Sequence, residues 1–158
     1  MGMSADDPQT SSSPPGALAI AEDHLRLSAD LQQMEAAIAR PHDAEGWLGA
    51  LADLLDRLQE DLRAHFALEE RDDLYRKVPS QVPRFAERLA CLEKEHGEIL
   101  GALDEIRAKE RALVEPGAEA LRGHAEAILA VIAKLRRHES LETEILLRID
   151  WEDLGRGD

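Results

Sequence analysis

The sequence predicts an all-α protein, built as an antiparallel up-down-up-down four-helix bundle. Three observations carry this. Four helix-length stretches each present an apolar stripe at alternating steps of three and four, the seam of coiled-coil-like packing. Pro41, Pro79, Pro83 and Pro116 fall between the stretches, where helices stop. Aromatics make up only 3% of the chain, so helix-forming Leu, Ile and Ala must do the packing. Short connections make neighbouring helices antiparallel. No strand alternation or long repeat competes with this pattern.

The first stripe reads Ile20, His24, Leu27, Leu31, Met34, Ile38, between Pro14-Pro15-Gly16 and Pro41. The second reads Leu48, Leu51, Leu55, Leu58, Leu62, His65, Glu69. Asp43 is its expected N-cap, and the helix is expected to fade near Arg76 to Val78, ahead of Pro79. Residues 79–83 read as a turn. The third stripe is Phe85, Leu89, Leu92, His96, Ile99, Leu103, Ile106 and Leu113, with Glu110 at the missing step. Pro116-Gly117 closes it. The fourth is Leu121, His124, Ile128, Val131, Leu135, His138, Glu142, Ile145, Ile149. The expected organisation is a disordered tail over 1–16, rich in Ser, Pro and Asp, a bundle over 17–150, and a C-terminal tail over 151–158.

Composition narrows the partners. The chain of 158 residues suffices for one domain with a core. Its formal net charge of −14 repels phosphate, which argues against nucleic acid and anionic membranes. No apolar run approaches the ~20 residues needed to cross a bilayer. The N-terminal stretch lacks the basic-then-apolar pattern of a secretion signal. With Cys91 as the single cysteine, a cytoplasmic location is expected. Cys91 points about 140° away from His96 around the helix, and is expected to be a buried structural thiol.

The stripes are interrupted where Leu or Ile should stand. His24, His65, His96 and His138 each occupy an inward position, one per helix. In two stretches the next stripe position is a glutamate, giving His65-Phe-Ala-Leu-Glu69 and His138-Glu-Ser-Leu-Glu142. Buried polar groups without partners cost several kcal/mol. On antiparallel helices at ~1.5 Å per residue, all six fall in one layer, roughly 10–18 Å from the end that holds the helix 2–3 turn. A shared metal ion satisfies them together. Imidazole with carboxylate suits Fe, Mn or Zn, and the absence of thiolate argues against Cu(I) and iron–sulfur centres. Six ligands are too many for one tetrahedral zinc. They divide between two ions, His24 with His65 and His96 with His138, with Glu69 and Glu142 as bridges.

This order of motifs resembles the hemerythrin-like (HHE cation-binding) family. One His on helix 1, His-x-x-x-Glu on helix 2, His on helix 3 and His-x-x-x-Glu on helix 4 carry the resemblance, with the local contexts His65-Phe66-Ala67-Leu68-Glu69-Glu70 and Glu95-His96. It covers roughly residues 17–150. The resemblance implies two iron ions, oxo- or hydroxo-bridged, for which Mn or Zn are substitutes, and a small-molecule ligand: O2, peroxide or nitric oxide. The chain departs from the oxygen-carrier pattern. Leu100 stands where carriers have a second helix-3 histidine. Thr143 stands where carriers have an aspartate, with Glu142 one residue earlier. Two histidines, two bridging carboxylate oxygens and one oxygen bridge give each iron five ligands, so a sixth position is open on both or filled by water or another side chain, which favours reaction or sensing over oxygen carriage. An enzyme of this kind would be a catalase- or peroxidase-like oxidoreductase.

Two alternatives compete. A ferritin-like di-metal protein needs Glu-x-x-His on two helices. Glu93-Lys-Glu-His96 fits once, but Ala21 and Leu135 precede His24 and His138. A non-enzymatic helical interaction module would carry the histidines as incidental core residues. Several residues have lesser claims. Asp73 and Tyr75 are candidates for an outer contact or an extra ligand. His124 lies about 21 Å from His138 along its helix, and is expected to bond water or backbone. Gly97 and Gly101 suggest close helix approach, and Trp47 and Trp151 suggest core plugs.

Overall fold

The computed structural model describes residues 15–154, with side chains at residue 20 and over 22–149. The described residues are all-α. Four long helices, α1 (Pro15–Ile38), α2 (Ala44–Glu69), α5 (Ala86–Arg111) and α6 (Ala118–Leu154), account for most of the chain. Two one-turn helices, α3 (Asp73–Arg76) and α4 (Val78–Gln81), and a 3-10 turn at Pro83–Phe85 lie between α2 and α5. Of the expected N-terminal tail, residues 1–14 lie outside the described residues, and α1 takes up Pro15 and Gly16. The helix α6 continues through four residues of the expected C-terminal tail, Trp151 to Leu154, and 155–158 lie outside the description.

The long helices pack in a ring: α1 on α2, α2 on α5, α5 on α6, and α6 back on α1, the last being the lightest contact. Their stripes form one apolar core that includes Leu31, Met34, Leu51, Leu55, Leu62, Ile99, Leu103, Ile128 and Leu135. Asp43 caps α2 as expected, accepting a 2.7 Å hydrogen bond from the Gly46 amide. Trp47 plugs the core and donates its indole N–H to the Ala37 carbonyl at 2.8 Å. Ion pairs such as Arg136–Glu35 and Lys134–Glu98 lace neighbouring helices at the surface. Such pairs contribute at most ~1 kcal/mol each.

The α2–α5 connection differs from the sequence expectation. The helix α2 stops at Glu69, not near Arg76. Beyond Glu70 the backbone tightens, with Arg71 and Asp72 amides bonding the Leu68 and Glu69 carbonyls, three residues back. Asp72 then starts a new helix by accepting from the Leu74 amide at 3.1 Å. The expected turn over 79–83 therefore holds one helical turn and the start of another. This connection builds a second apolar cluster from Leu74, Tyr75, Phe85, Leu89, Leu92 and Ile145.

Two further expectations fail. Cys91 is exposed, because it turns away from the inward Leu92. Gly97 and Gly101 do not serve close approach: both are exposed, and a Cβ at either position would meet open space.

Candidate metal centre

The six inward residues occupy one polar layer between the two apolar clusters. Sequence explains the stacking: Ile99 and Leu92 flank His96 on α5, while Leu135 and Ile145 flank His138 and Glu142 on α6. His65, Glu69, His96, His138 and Glu142 are at most 2% exposed, and His24 is 23% exposed at its side chain. The layer is therefore sealed on three helices and reaches solvent beside α1.

All four imidazoles turn Nε2 inward. From Glu69 Oε1, His65 Nε2 lies 2.8 Å away and His24 Nε2 3.2 Å, while His96 Nε2 stands 3.5 Å from Glu69 Oε2. Glu142 Oε1 is 3.3 Å from His138 Nε2 and 3.8 Å from His96 Nε2. Two donor groups result, His24/His65/Glu69/Glu142 and Glu69/His96/His138/Glu142, each with its ligand atoms within 4.8 Å of one another. Both contain Glu69 and Glu142. This is the division expected from the sequence, with each carboxylate facing both histidine pairs.

Two of the outward nitrogens have carboxylate partners. His96 Nδ1 lies 2.9 Å from Glu70 Oε1, and His138 Nδ1 lies 3.1 Å from Glu95 Oε2. His65 Nδ1 stands 3.8 Å from Asp23 Oδ2, beside a cavity of about 30 Å³ lined by both residues. That space suffices for one bridging water. An imidazole that donates an Nδ1–H hydrogen bond to a carboxylate presents a lone pair at Nε2, the arrangement found around metal-bound histidines.

The inward atoms fit cations on their chemistry. His65 Nε2, His96 Nε2, His138 Nε2, Glu69 Oε2 and Glu142 Oε2 are buried without hydrogen-bond partners. His65 Nε2 and His138 Nε2 lie near carboxylate oxygens at angles that make no hydrogen bond. Facing lone pairs repel, and unpartnered buried groups are costly. Either protons or metal ions must sit between them.

The electrostatics of the metal-free protein agree. The hydrogen bond to Glu69 raises the His24 imidazole above its ordinary value, against the pull of burial. Burial drives His96 down, but Glu142 and Glu70 outweigh it and the net shift is upward. His138 follows the same balance with Glu142 and Glu95. Burial pushes the Glu142 carboxyl up, yet His138 and His96 prevail and hold it well below the usual carboxylate range. The signs set a window. The raised histidines stabilise the metal-free fold fully below pH 6.5 and lose that contribution as pH rises through their shifted values. Glu142 contributes above pH 4.5 and loses it on acidification. Metal-free protein is thus expected to be most stable between pH 4.5 and 6.5 and to melt at lower temperature at pH 8, read by circular dichroism. A melting temperature that rises from pH 6 to 8 would contradict this balance.

The two lesser candidates separate. Tyr75 is buried and donates its phenolic hydroxyl to Glu142 Oε1, with its ring edge-on to His96 at 5.4 Å. Burial and the Glu142 charge hold that phenol far above its ordinary value, so it stays protonated. Asp73 instead lies on the surface, paired with Lys77 at 2.8 Å, and touches none of the six. Phe66 was not singled out by sequence reasoning, yet it stacks on His96 at 4.0 Å and 6° and meets His138 edge-on. Leu100 packs partly buried against the core, and Thr143 is exposed.

At the far end of the molecule His124 is buried against Glu110, 3.1 Å from Nε2 to Oε2, with Arg107 on the same carboxylate at 2.7 Å. Its partner is thus a carboxylate, not the water or backbone expected. Among the described residues it joins no metal-sized donor group, and His42 is exposed in the α1–α2 turn. Trp151 has no described side chain.

No described helix is long and apolar enough to cross a membrane. Searches of curated proteins and of solved structures give no match. The family model described as the hemerythrin HHE cation binding domain matches residues 17–149, which span all six inward residues. The chain belongs to the hemerythrin HHE cation-binding domain family.

Proposed function

We propose that this protein is a hemerythrin-like non-haem di-iron protein that reacts with or senses O2, peroxide or nitric oxide. One observation carries the reading: two donor groups that share Glu69 and Glu142, with buried nitrogen and oxygen atoms that no proton donor satisfies. His24 and His65 would hold one ion and His96 and His138 the other, with the two carboxylates common to both. Iron bound there supplies redox chemistry and Lewis acidity. Mn or Zn suits the same donors.

The chain's own residues do the rest. Glu70 and Glu95 fix the rotation of His96 and His138 through Nδ1. Tyr75 fixes the Glu142 carboxylate and keeps a protonated hydroxyl beside it. Phe66 packs against three of the histidines and excludes water from the layer. The partly exposed edge at His24 gives a small molecule its approach. Leu100 adds no donor at the position where oxygen carriers have a further histidine, which favours reaction or sensing over storage. The ring of long helices supports the up-down-up-down bundle of this reading. A cytoplasmic site of action and a partner that is a small molecule, not nucleic acid or membrane, belong to the same proposal.

Iron-loaded protein should carry about two irons per chain, as two three- to four-donor groups require, and a near-ultraviolet charge-transfer band. Iron-loaded protein that retains no metal by elemental analysis would return the chain to the helical interaction module. Rapid disproportionation of hydrogen peroxide would select the enzyme reading, and clean spectral cycling with oxygen and no turnover the sensor.

A further inference from the structure

Asp23 precedes His24 on α1, yet it faces the neighbouring helix. Its Oδ2 stands 3.8 Å from Nδ1 of His65 on α2, while its Oδ1 pairs with Arg26 one turn along α1. The two oxygens are thus divided, one toward the exposed Arg26 and one toward the buried imidazole. His65 is 1% exposed, and its Nδ1 is buried without a hydrogen-bond partner. A separation of 3.8 Å is too long for a direct bond, which needs about 2.7–3.2 Å between heavy atoms. A cavity of about 30 Å³ lies at this place, lined by Asp23, Arg26, Leu27, Asp61, Ala64 and His65. A water needs roughly 10–15 Å³ of such space and two to four polar partners. His65, Asp23 and Asp61 supply the partners, Asp61 standing one turn before His65 on the same face of α2. The space admits a water and nothing much larger.

We propose that Asp23 is the positioning carboxylate of His65 and acts through one water held in the cavity between α1 and α2. This rests on the di-metal reading above. Asp23 lies behind His65 and belongs to neither donor group. His65 Nδ1–H donates to the water, the water donates to Asp23 Oδ2, and Arg26 holds Oδ1 from outside. That order leaves the Nε2 lone pair of His65 toward Glu69 and the ion. A water-mediated bond is nearly as favourable as a direct one. The placement repeats one seen across the layer: Glu95 adjoins His96 but serves His138, and Asp23 adjoins His24 but serves His65. The two halves of the layer then differ in kind. His96 and His138 meet their carboxylates at 2.9 and 3.1 Å, while His65 reaches its own through solvent.

The test loads the full chain with zinc, a diamagnetic ion suited to the same donors. Proton–nitrogen NMR of the His65 ring and calorimetric zinc titration are run on wild type, Asp23→Leu, Asp23→Glu and the surface control Glu144→Gln. Wild type and the control should bind two equivalents and show a downfield His65 Nδ1–H resonance with a cross-peak to a bound water. Asp23→Leu should move that resonance upfield and bind one equivalent about 10–100-fold more weakly, the loss typical for a supporting partner, with the other unchanged. Asp23→Glu, one methylene longer, should reach Nδ1 directly. It should keep the downfield resonance and wild-type affinity but lose the water cross-peak. A wild-type resonance with no water cross-peak would overturn the proposal, even where a variant fails to fold. So would an unchanged resonance and two unchanged equivalents in Asp23→Leu, or an Asp23→Glu protein as weak as Asp23→Leu. Each of these leaves the di-metal reading intact. Wild-type protein that binds no zinc would overturn both.

Discussion

On the di-metal reading, Glu69→Ala is expected to abolish binding of both ions and leave the helices standing. Glu69 alone approaches three of the four histidines, His24 and His65 through Oε1 and His96 through Oε2. It belongs to both donor groups. Its loss should therefore weaken both ions together, by more than the ~100-fold that removal of an outer partner costs. The helices draw their stability from the leucine core above the layer and from the cluster below it. Far-ultraviolet circular dichroism should stay near wild type while metal content by elemental analysis falls toward zero. Retention of a full complement would show that Glu69 is not shared.

Leu62→Ala is expected to have the largest effect on stability among single core truncations near the site. Leu62 is fully buried one turn before Phe66, in the leucine row of α2. Removing it leaves a cavity that a bundle of rigid helices fills poorly, at a cost of about 2–5 kcal/mol. Single domains have only about 5–15 kcal/mol to lose. Urea unfolding should show a lower midpoint with an unchanged slope. Val114→Ala is a suitable reference, because that side chain is 84% exposed and should stay within about 0.5 kcal/mol of wild type. A Leu62→Ala effect as small as the reference would mean that the core beside Phe66 collapses freely, and that the histidines are not held by packing.

The long helices and the inward six were legible because both depend on one-dimensional periodicity. A histidine at a stripe position must face the core, and alternating steps of three and four keep it there. The partners of the histidines were less legible, although a signal exists. Consecutive helical residues point about 100° apart, so the neighbour of an inward residue reaches toward the adjacent helix. Glu95 adjoins His96 but bonds His138, and Glu70 adjoins Glu69 but bonds His96. Each acid next to an inward residue thus serves the next helix around. What periodicity did not reach was the α2–α5 connection. The apolar stripe of α2 ends at Glu69, with Asp72 and Asp73 at the next steps, but a polar run can continue a helix as an exposed turn and does not place the stop. Asp72 makes the break by capping a new helix. That break separates Tyr75, which turns in to Glu142, from Asp73, which turns out to Lys77. The exposure of Cys91 was misjudged for a simpler reason: angular position excluded it from the His96 face, but a thiol on the remaining faces of a surface helix meets water as readily as it meets a neighbour.

The floor of the polar layer is closed by the least regular part of the described chain. One-turn helices have no stability of their own. The connection from Glu70 to Phe85 holds its shape only while Leu74, Tyr75 and Phe85 stay packed on Leu89, Leu92 and Ile145. Such segments open locally at a free energy below that of global unfolding. Each opening withdraws the Tyr75 hydroxyl from Glu142 and uncovers that carboxylate from below. On the di-metal reading, exchange of bound ions is then expected to be timed by the breathing of sixteen connecting residues, 70–85, and not by melting of the four long helices. Amide hydrogen exchange in this connection and the off-rate of bound metal should change together when its packing is altered.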